Sequence, residues 1–385
     1  MFTEDRTHAF LGREPGPEAR LLLYCARTDV PPDIAERIRA LSRAPLDWEL
    51  LAESAEKHRV TQLLFRNLSA LCPEALPAKL RTCLRHQFFT NAGFSLKLAN
   101  ALVSLLQAFA AAGIPVLPFK GSVLAHCTYG KLALRQNYDI DLLVAERDLP
   151  ASRQTLQHAG FVCDEVFDRE LRYHRIADGV EVDLHWAFAP RYFHHSVDFD
   201  ELLRRSRDEI LLGQRVSTLS AEDFLLVLCL QVVKDSWERR QQLEHLSKVC
   251  DIAEHLRAYP RLDWAWIRRA ARQDGLQRVV HCALTLACEL LGAELPPEVA
   301  RAVAADARAL DCARRMCGVL FTGADTLSPL ENPYLSLGLR WQQLRFYLAV
   351  RERYRERFRH LAEIIRPVAW EQPVGAANNE NRHLQ

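Results

Sequence analysis

The chain has no C-x-x-C pair, no apolar run near membrane-span length and almost no net charge, and each absence removes a class of protein. Its eleven cysteines are scattered from Cys25 to Cys317 and their number is odd. Cys282 with Cys288, and Cys312 with Cys317, lack the spacing of a zinc site. The pattern predicts reduced thiols in the cores of a cytoplasmic protein, not a disulfide framework. The opening MFTEDRTHAF is too polar for a signal peptide. No apolar run approaches the ~20 residues of a spanning helix, so no membrane partner is expected. The formal net charge is +1. Bulk charge therefore gives no sign of a general nucleic-acid binder, and a nucleic-acid partner is not expected.

What remains is an ordinary globular composition in 385 residues, long enough for two or three domains with a real hydrophobic core. From Pro32 to about Gly113 apolar residues recur three and four apart, as in DIAERIRALSR and LDWELLAESAEKHRV, which predicts helices. Asp47 before Trp48 is placed to cap one of them. Leu96 to Ala112 reads as another helix, stopped by Gly113. The character then changes. IPVLPF from Ile114 reads as a buried strand, Gly121-Ser122 opens a short helix, and YDIDLLV over Tyr138 to Val144 is a second strand. A helix over Leu149 to Ala159 follows. FVCDEVF, ELRYHRI and VEVDLHWAF are three further strands, with Ala177-Asp178-Gly179 as the hairpin turn between the last two.

After Leu219 the pattern is helical again. Ser220-Ala-Glu-Asp223 resembles a capping box before FLLVLCLQVVK, and Asp263 is placed to cap another helix. LDWELLAESAEKHRV and LDWAWIRRAARQDGL look alike, which shared capping chemistry explains better than a repeat. A long helix is expected from Leu339 to Arg366, stopped by Pro367 and carrying the apolar stripe Trp341, Leu344, Leu348, Tyr354, Phe358, Leu361 and Ile365. The expected fold class is α+β: a small mixed-sheet core over 113–215, an N-terminal helical region over 1–112, a C-terminal helical domain over 216–370 and a disordered tail over 371–385.

The chemistry concentrates in the α/β segment. Asp139 and Asp141 are two apart, so in a strand they share a face while Ile140 points into the core. Two carboxylates so close need a cation between them. Mg²⁺, or Mn²⁺ in its place, suits an oxygen site completed by substrate phosphates. Glu181, Asp183 and His185 share one face of a later strand. If the two strands pair, Asp183 meets Asp139 and Asp141, and the three carboxylates become metal ligands. A strand ending in Lys120 that passes through Gly121-Ser122 into a helix exposes backbone N–H groups to a phosphate. Arg135, Lys234 and Lys248 are further candidates to meet phosphate, and His185 and His174 are candidates to meet substrate. Trp186 points to the other strand face, as packing. His194-His195 has no partner spacing that suggests a site.

These residues resemble a known family. PFKGS at Pro118 to Ser122, RQNYDIDLLV at Arg135 to Val144 and DLHW at Asp183 to Trp186 are similar to motifs of the nucleotidyltransferase (DNA polymerase beta-like) superfamily. Within it they are most similar to an uncharacterised bacterial nucleotidyltransferase family associated with peptide- and polysaccharide-biosynthesis genes. The resemblance is strong over about 114–188 and weaker in both helical flanks. It implies metal-dependent transfer of a nucleoside monophosphate from a nucleoside triphosphate, ATP for example, to an unidentified small-molecule, peptide or saccharide acceptor. Asp139, Asp141 and Asp183 would be catalytic. Two rival functions fit the same residues: phosphoryl transfer on the same scaffold, and nucleotide binding without catalysis inside a biosynthetic assembly.

Overall fold

The computed structural model describes residues 4–190, 193, 197–238, 242–243, 245–318, 320–321, 344–345 and 348–350. The expected Leu339–Arg366 helix with most of its stripe, the polar tail and His194-His195 lie outside the described residues.

Six helices come first: α1 (Glu4–Leu11), α2 (Pro17–Cys25), α3 (Pro32–Ser42), α4 (Trp48–Lys57), α5 (Thr61–Leu71) and α6 (Ala78–Ala111). The α/β segment follows with β1 (Leu117–Pro118), α7 (Gly121–Tyr129), β2 (Asp139–Leu143), α8 (Leu149–His158), β3 (Val162–Val166), β4 (Glu170–Arg175) and β5 (Val180–His185). Then come α9 (Phe199–Arg205) and a hairpin of β6 (Arg207–Leu211) and β7 (Gln214–Thr218). The remaining helices are α10 (Ala221–Glu238), α11 (Leu246–Ala258), α12 (Trp264–Gln273), α13 (Gln277–Leu291), α14 (Pro297–Ala304) and α15 (Ala307–Met316). The α+β class expected from the sequence is what the chain adopts. One continuous apolar core runs from Phe10 through the sheet to the C-terminal helices.

The sheet has five strands in the order β1-β2-β5-β4-β3. β2 and β5 are parallel, while β1 on β2, β4 on β5 and β3 on β4 are antiparallel. β2 is buried at every position but its first and β5 at every position but its second, so these two strands form the centre of the molecule. β1 is shorter than the apolar run that announced it. Its continuation is a single bond, from the Phe119 N–H to the Asp141 carbonyl at 3.4 Å, before Lys120 turns the chain into α7.

The caps follow the sequence signals. Asp47 accepts from the Glu49 and Leu50 N–H groups and Asp263 from that of Trp266, so the two LDW segments share capping chemistry. At α10 the Ser220 hydroxyl accepts from the Asp223 N–H, and the Asp223 carboxylate takes Arg205 at 3.0 Å. The β6–β7 hairpin has no counterpart in the sequence reading. Its turn places Leu212 at φ 51 and Gly213 at φ 77, both in the left-handed region that closes a two-residue hairpin. Leu-Gly is a weaker signal for such a turn than Asn-Gly, because the first position normally belongs to Asn, Asp or Gly.

Helix α6 is 34 residues long and starts well before the expected Leu96. It is long and apolar enough by length and composition to cross a membrane, and 39% of its most apolar stretch is buried inside the protein. Leu98, Leu102, Leu105 and Phe109 pack into the core, and Asn91 donates to the carbonyls of Ala133 and Arg135 at 3.1 and 3.4 Å, fixing the chain that leads into β2.

A buried ion pair ties the sheet to the C-terminal helices. Arg135 grips Asp251 of α11 with two parallel bonds, each 2.9 Å, and the Tyr129 hydroxyl donates to the same carboxylate at 2.6 Å. Burial, reinforced by Asp251, pushes the Tyr129 hydroxyl well above its ordinary value. Asp251→Asn leaves the Arg135 guanidinium buried without its counter-charge, and we expect it to lower stability by about 3–5 kcal/mol in urea titration. Breaking the exposed Arg147–Asp200 pair with Arg147→Ala is the control and should leave the unfolding midpoint where it is.

Candidate functional site

The register of the two central strands sets the site. β2 and β5 run parallel with Asp139 beside Glu181, Asp141 beside Asp183 and Leu143 beside His185. Asp141 and Asp183 are thus direct neighbours on one face. Potential ligand atoms of Asp141, Asp183 and His185 all lie within 4.8 Å of one another, and all three residues are buried. Asp139 shares their face but is not part of that cluster. It lies one pair further toward the start of the strand, and two residues along a strand span roughly 6–7 Å.

Lys120 before α7 and Arg172 of β4 bring positive charge to this face, and His185 of β5 adds a ring nitrogen. Lys120 Nζ lies 3.0 Å from Asp141 Oδ1, and His185 Nε2 lies 3.1 Å from the same oxygen. The other ring nitrogen of His185 is 3.4 Å from Glu170. Arg172 of β4 donates to Asp183 at 3.3 Å. Burial would raise the Asp141 carboxyl, but Lys120 and His185 overcome it and hold the group well below the usual carboxylate range. For Asp183 the balance goes the other way. Burial, then Glu170, Asp141 and Asp139, push it up to about 8 against the opposing pull of Arg172. Asp139 is raised to about 6 by burial and by Asp141. Burial works against the charge on Lys120, yet Asp141, Asp139 and Asp235 hold it above the ordinary lysine value.

Gly121 fixes the approach to β2. Its φ is +53, and a Cβ there would sit 2.9 Å from the carbonyl oxygen of Asp139. No other residue fits that contact without moving β2. Ser122 follows at the start of α7, as expected, but its side chain is buried, with the hydroxyl lacking a partner among the described residues.

Beside the carboxylates lies a cleft of about 190 Å³ lined by Lys120, Arg135, Asp139, Asp141, Lys248 and the Gln136–Tyr138 segment, among others. Gly121 and Ser122 do not line it. Leu228, Gln231 and Asp235 of α10 close one side, three and four apart on a single helix face. Arg59 closes another from between α4 and α5. Lys234 and Lys248 both pair with Asp235, the first at 3.2 Å. They hold that buried carboxylate below its usual range. Lys248 lines the cleft and Lys234 does not.

The other candidates are placed as follows. Arg135 faces the cleft, but its guanidinium is the partner of Asp251. His174 is apart from the cluster, 2.5 Å from Asp164 at the outer edge of the sheet. Trp186 packs against the core. The sequence reading missed Arg59, Asn137, Glu170, Arg172 and Asp235. Arg172 was within reach, because the hairpin sets Arg175 opposite Val180 and therefore Arg172 opposite Asp183.

A strand entering a helix through Gly-Ser, beside paired carboxylates on adjacent strands, defines a nucleotidyltransferase-type core. A family model described as uncharacterised nucleotidyltransferase matches residues 44–292, more than half of the chain. The chain belongs to that uncharacterised nucleotidyltransferase family, and is at that level a transferase. The crystal structure of an antigenic nucleotidyltransferase-like protein from Paracoccidioides brasiliensis is similar to it at a TM-score of 0.34 and 16% identity, over 54% of this chain and 92% of that one. That likeness is too loose to bear any argument. No curated protein matches.

Gly121→Ala tests how the site is built. The left-handed backbone costs a side-chain-bearing residue about 1–2 kcal/mol, and the contact with Asp139 adds to it. We expect a clear fall in the unfolding midpoint, beyond that of Gly130→Ala, where φ is +69 but the space is open. Equal effects at the two positions would show that the close approach to Asp139 does not matter.

Proposed function

We infer that this protein transfers a nucleoside monophosphate from a nucleoside triphosphate to an acceptor, with Mg²⁺ or Mn²⁺ bound at Asp141 and Asp183. The observation behind this reading is the pairing of those two carboxylates in register on adjacent parallel strands. The donor set fits the ion. Two hard carboxylate oxygens converge, with His185 beside them, and like charges so close favour a shared cation. Asp139, at the mouth of the cleft, is the third acidic group in the proposal. When bound, the metal supplies charge neutralisation to the triphosphate and to the pyrophosphate that leaves.

The chain's own residues do the rest. Lys120 already sits against Asp141, and with Lys248 it offers positive charge to the phosphates along the cleft. Arg135 adds charge behind them while it remains fixed by Asp251. Lys234 acts at a further remove, through Asp235. Gly121 and Ser122 do not line the cleft, so the N-terminus of α7 would meet the triphosphate through Lys120, the residue that caps it. Asp183, beside Asp141 at the metal, is the carboxylate that would accept the proton of the attacking group once the metal is bound. The acceptor's oxygen or nitrogen bonds to the α-phosphorus, the bond to the β-phosphate oxygen breaks, and pyrophosphate departs. The acceptor is a small molecule, peptide or saccharide in this proposal.

The test uses the full chain with labelled triphosphates and cell extract. Labelled acceptor together with pyrophosphate supports the reading. Nucleoside diphosphate in place of pyrophosphate means phosphoryl transfer on the same scaffold. Binding with no product means a non-catalytic nucleotide-binding role. Two expectations sharpen it. Calorimetry in EDTA should show triphosphate binding lost, and equally tight binding without metal would sink the site. Asp183→Asn should abolish labelling with the fold intact, because the amide keeps the size and shape of the carboxylate but offers the metal no charge and cannot accept a proton. Wild-type transfer by Asp183→Asn would remove Asp183 from the mechanism.

A further inference from the structure

The segment Gln136–Tyr138, which forms one wall of the carboxylate cleft, has a second cavity on it. This cavity is about 420 Å³ and is lined by Thr61 and Gln62 of α5, by His86, Asn91 and Phe94 of α6, and by Gln136, Asn137 and Tyr138, among others. The size is that of a small-molecule site. Its wall contains two buried polar groups without partners among the described residues: Gln62 Oε1, on a side chain 3% exposed, and Asn137 Nδ2, on one 2% exposed. A buried polar atom left unpaired is costly, and each such atom calls for a ligand or a reason. The orientation of the Asn137 amide is not arbitrary. Its oxygen accepts from the Arg135 guanidinium, which can only donate, so the free atom is the NH₂ group.

Gln62 and Asn137 both line the cavity, so its wall carries an unpaired buried acceptor and an unpaired buried donor, with Phe94 and Tyr138 among the other lining residues. A planar heterocycle with donors and acceptors on its edge complements that set. Gln136, Asn137 and Tyr138 line both cavities, so such a ring would lie next to a triphosphate placed against Lys120 and Lys248. Tyr138 is 44% exposed, with the Arg59 guanidinium 4.6 Å from its ring centre. Arg59 adopts φ 57 as the left-handed residue that ends α4, where the Val60 N–H reaches the Ala55 carbonyl at 2.9 Å, and this sets where its side chain leaves the helix.

We propose that this second cavity is the nucleobase subsite, read by Asn137 and Gln62, and that the N-terminal helical region thereby sets which nucleoside triphosphate the protein takes. The proposal rests on the nucleotidyl-transfer reading above. The base hydrogen-bonds to the Asn137 amide and the Gln62 carbonyl, and Tyr138 with Arg59 borders it on the side of the triphosphate.

The experiment is calorimetry of the full chain with Mg²⁺ and, in turn, ATP, GTP, CTP, UTP and inorganic tripolyphosphate, which lacks a base. The readout is the ratio among the four nucleotides, whose triphosphates are alike. Wild type should bind one base or base class at least about tenfold tighter than the rest, and tighter than tripolyphosphate, as expected when a buried group is satisfied by one ligand only. Gln62→Met should flatten that ratio about tenfold and leave tripolyphosphate affinity unchanged. Asn137→Asp keeps the acceptor for Arg135 but replaces the free donor with an acceptor. It should shift the ratio against the wild-type preference, and it decides the matter if Gln62→Met does not fold. Four nucleotides bound within twofold of one another, or a ratio unchanged in the folded variants, would overturn the subsite while leaving triphosphate binding in place. No binding of any nucleotide or of tripolyphosphate would overturn the nucleotidyl-transfer reading and the subsite together.

Discussion

Two buried carboxylates held side by side are the constraint from which the rest of this structure follows. Asp141 and Asp183 face each other across parallel strands, where charge repulsion and lost solvation both act against the folded state. The protein separates their ionisation. Lys120 and His185 converge on one oxygen of Asp141 and keep it charged. Asp183 receives only a longer contact from a partly exposed Arg172, with Glu170 adding repulsion, and its carboxyl rises. Neighbouring acids whose environments push them apart have the signature of a divided acid and base role. The same asymmetry keeps the pair tolerable inside the fold.

Holding that pair demands a rigid frame on both sides of it. Gly121 lets the chain after β1 pass against the Asp139 carbonyl, which puts Lys120 beside Asp141. Asn91 of α6 binds the carbonyls on either side of Leu134. Arg135 is clamped by Asp251, and Asp251 also receives Tyr129 at the end of α7. The turn between α7 and β2 is thus fixed from the N-terminal helices and from the C-terminal helices at once.

The sequence revealed those parts of the fold and site that depend on local periodicity. The α+β class and the helical flanks followed from spacings of two and of three to four. Asp139 and Asp141 on one strand face followed likewise, and so did the pairing with Asp183, given that the strands were neighbours. Contacts between distant segments were not legible. Nothing local shows that Lys248 serves Asp235, that Arg135 meets Asp251 across more than a hundred residues, or that Asp139 stands one pair away from the tight cluster. Register decides the last point, and register is a property of two strands. The β6–β7 hairpin escaped because its turn begins with Leu212 in a left-handed conformation that the residue type does not advertise.

The helical flanks are more than supports for the sheet. The family match begins at residue 44, just before α4, and ends at residue 292, just after α13, so it takes in helices from both sides together with the strands. The site explains why such a unit would hold together. A sheet of short strands offers one flat polar face, and a flat face excludes little water and surrounds little of a ligand. The cleft exists because α10 and α11 supply Asp235, Lys248 and Asp251 on one side and the α4–α5 junction supplies Arg59 on the other. The second cavity exists only because α5 and α6 stand over the Gln136–Tyr138 segment. Phosphate chemistry needs little more than the strands and the lysines beside them. Much of the wall of both cavities comes from helices that carry none of the carboxylate pair.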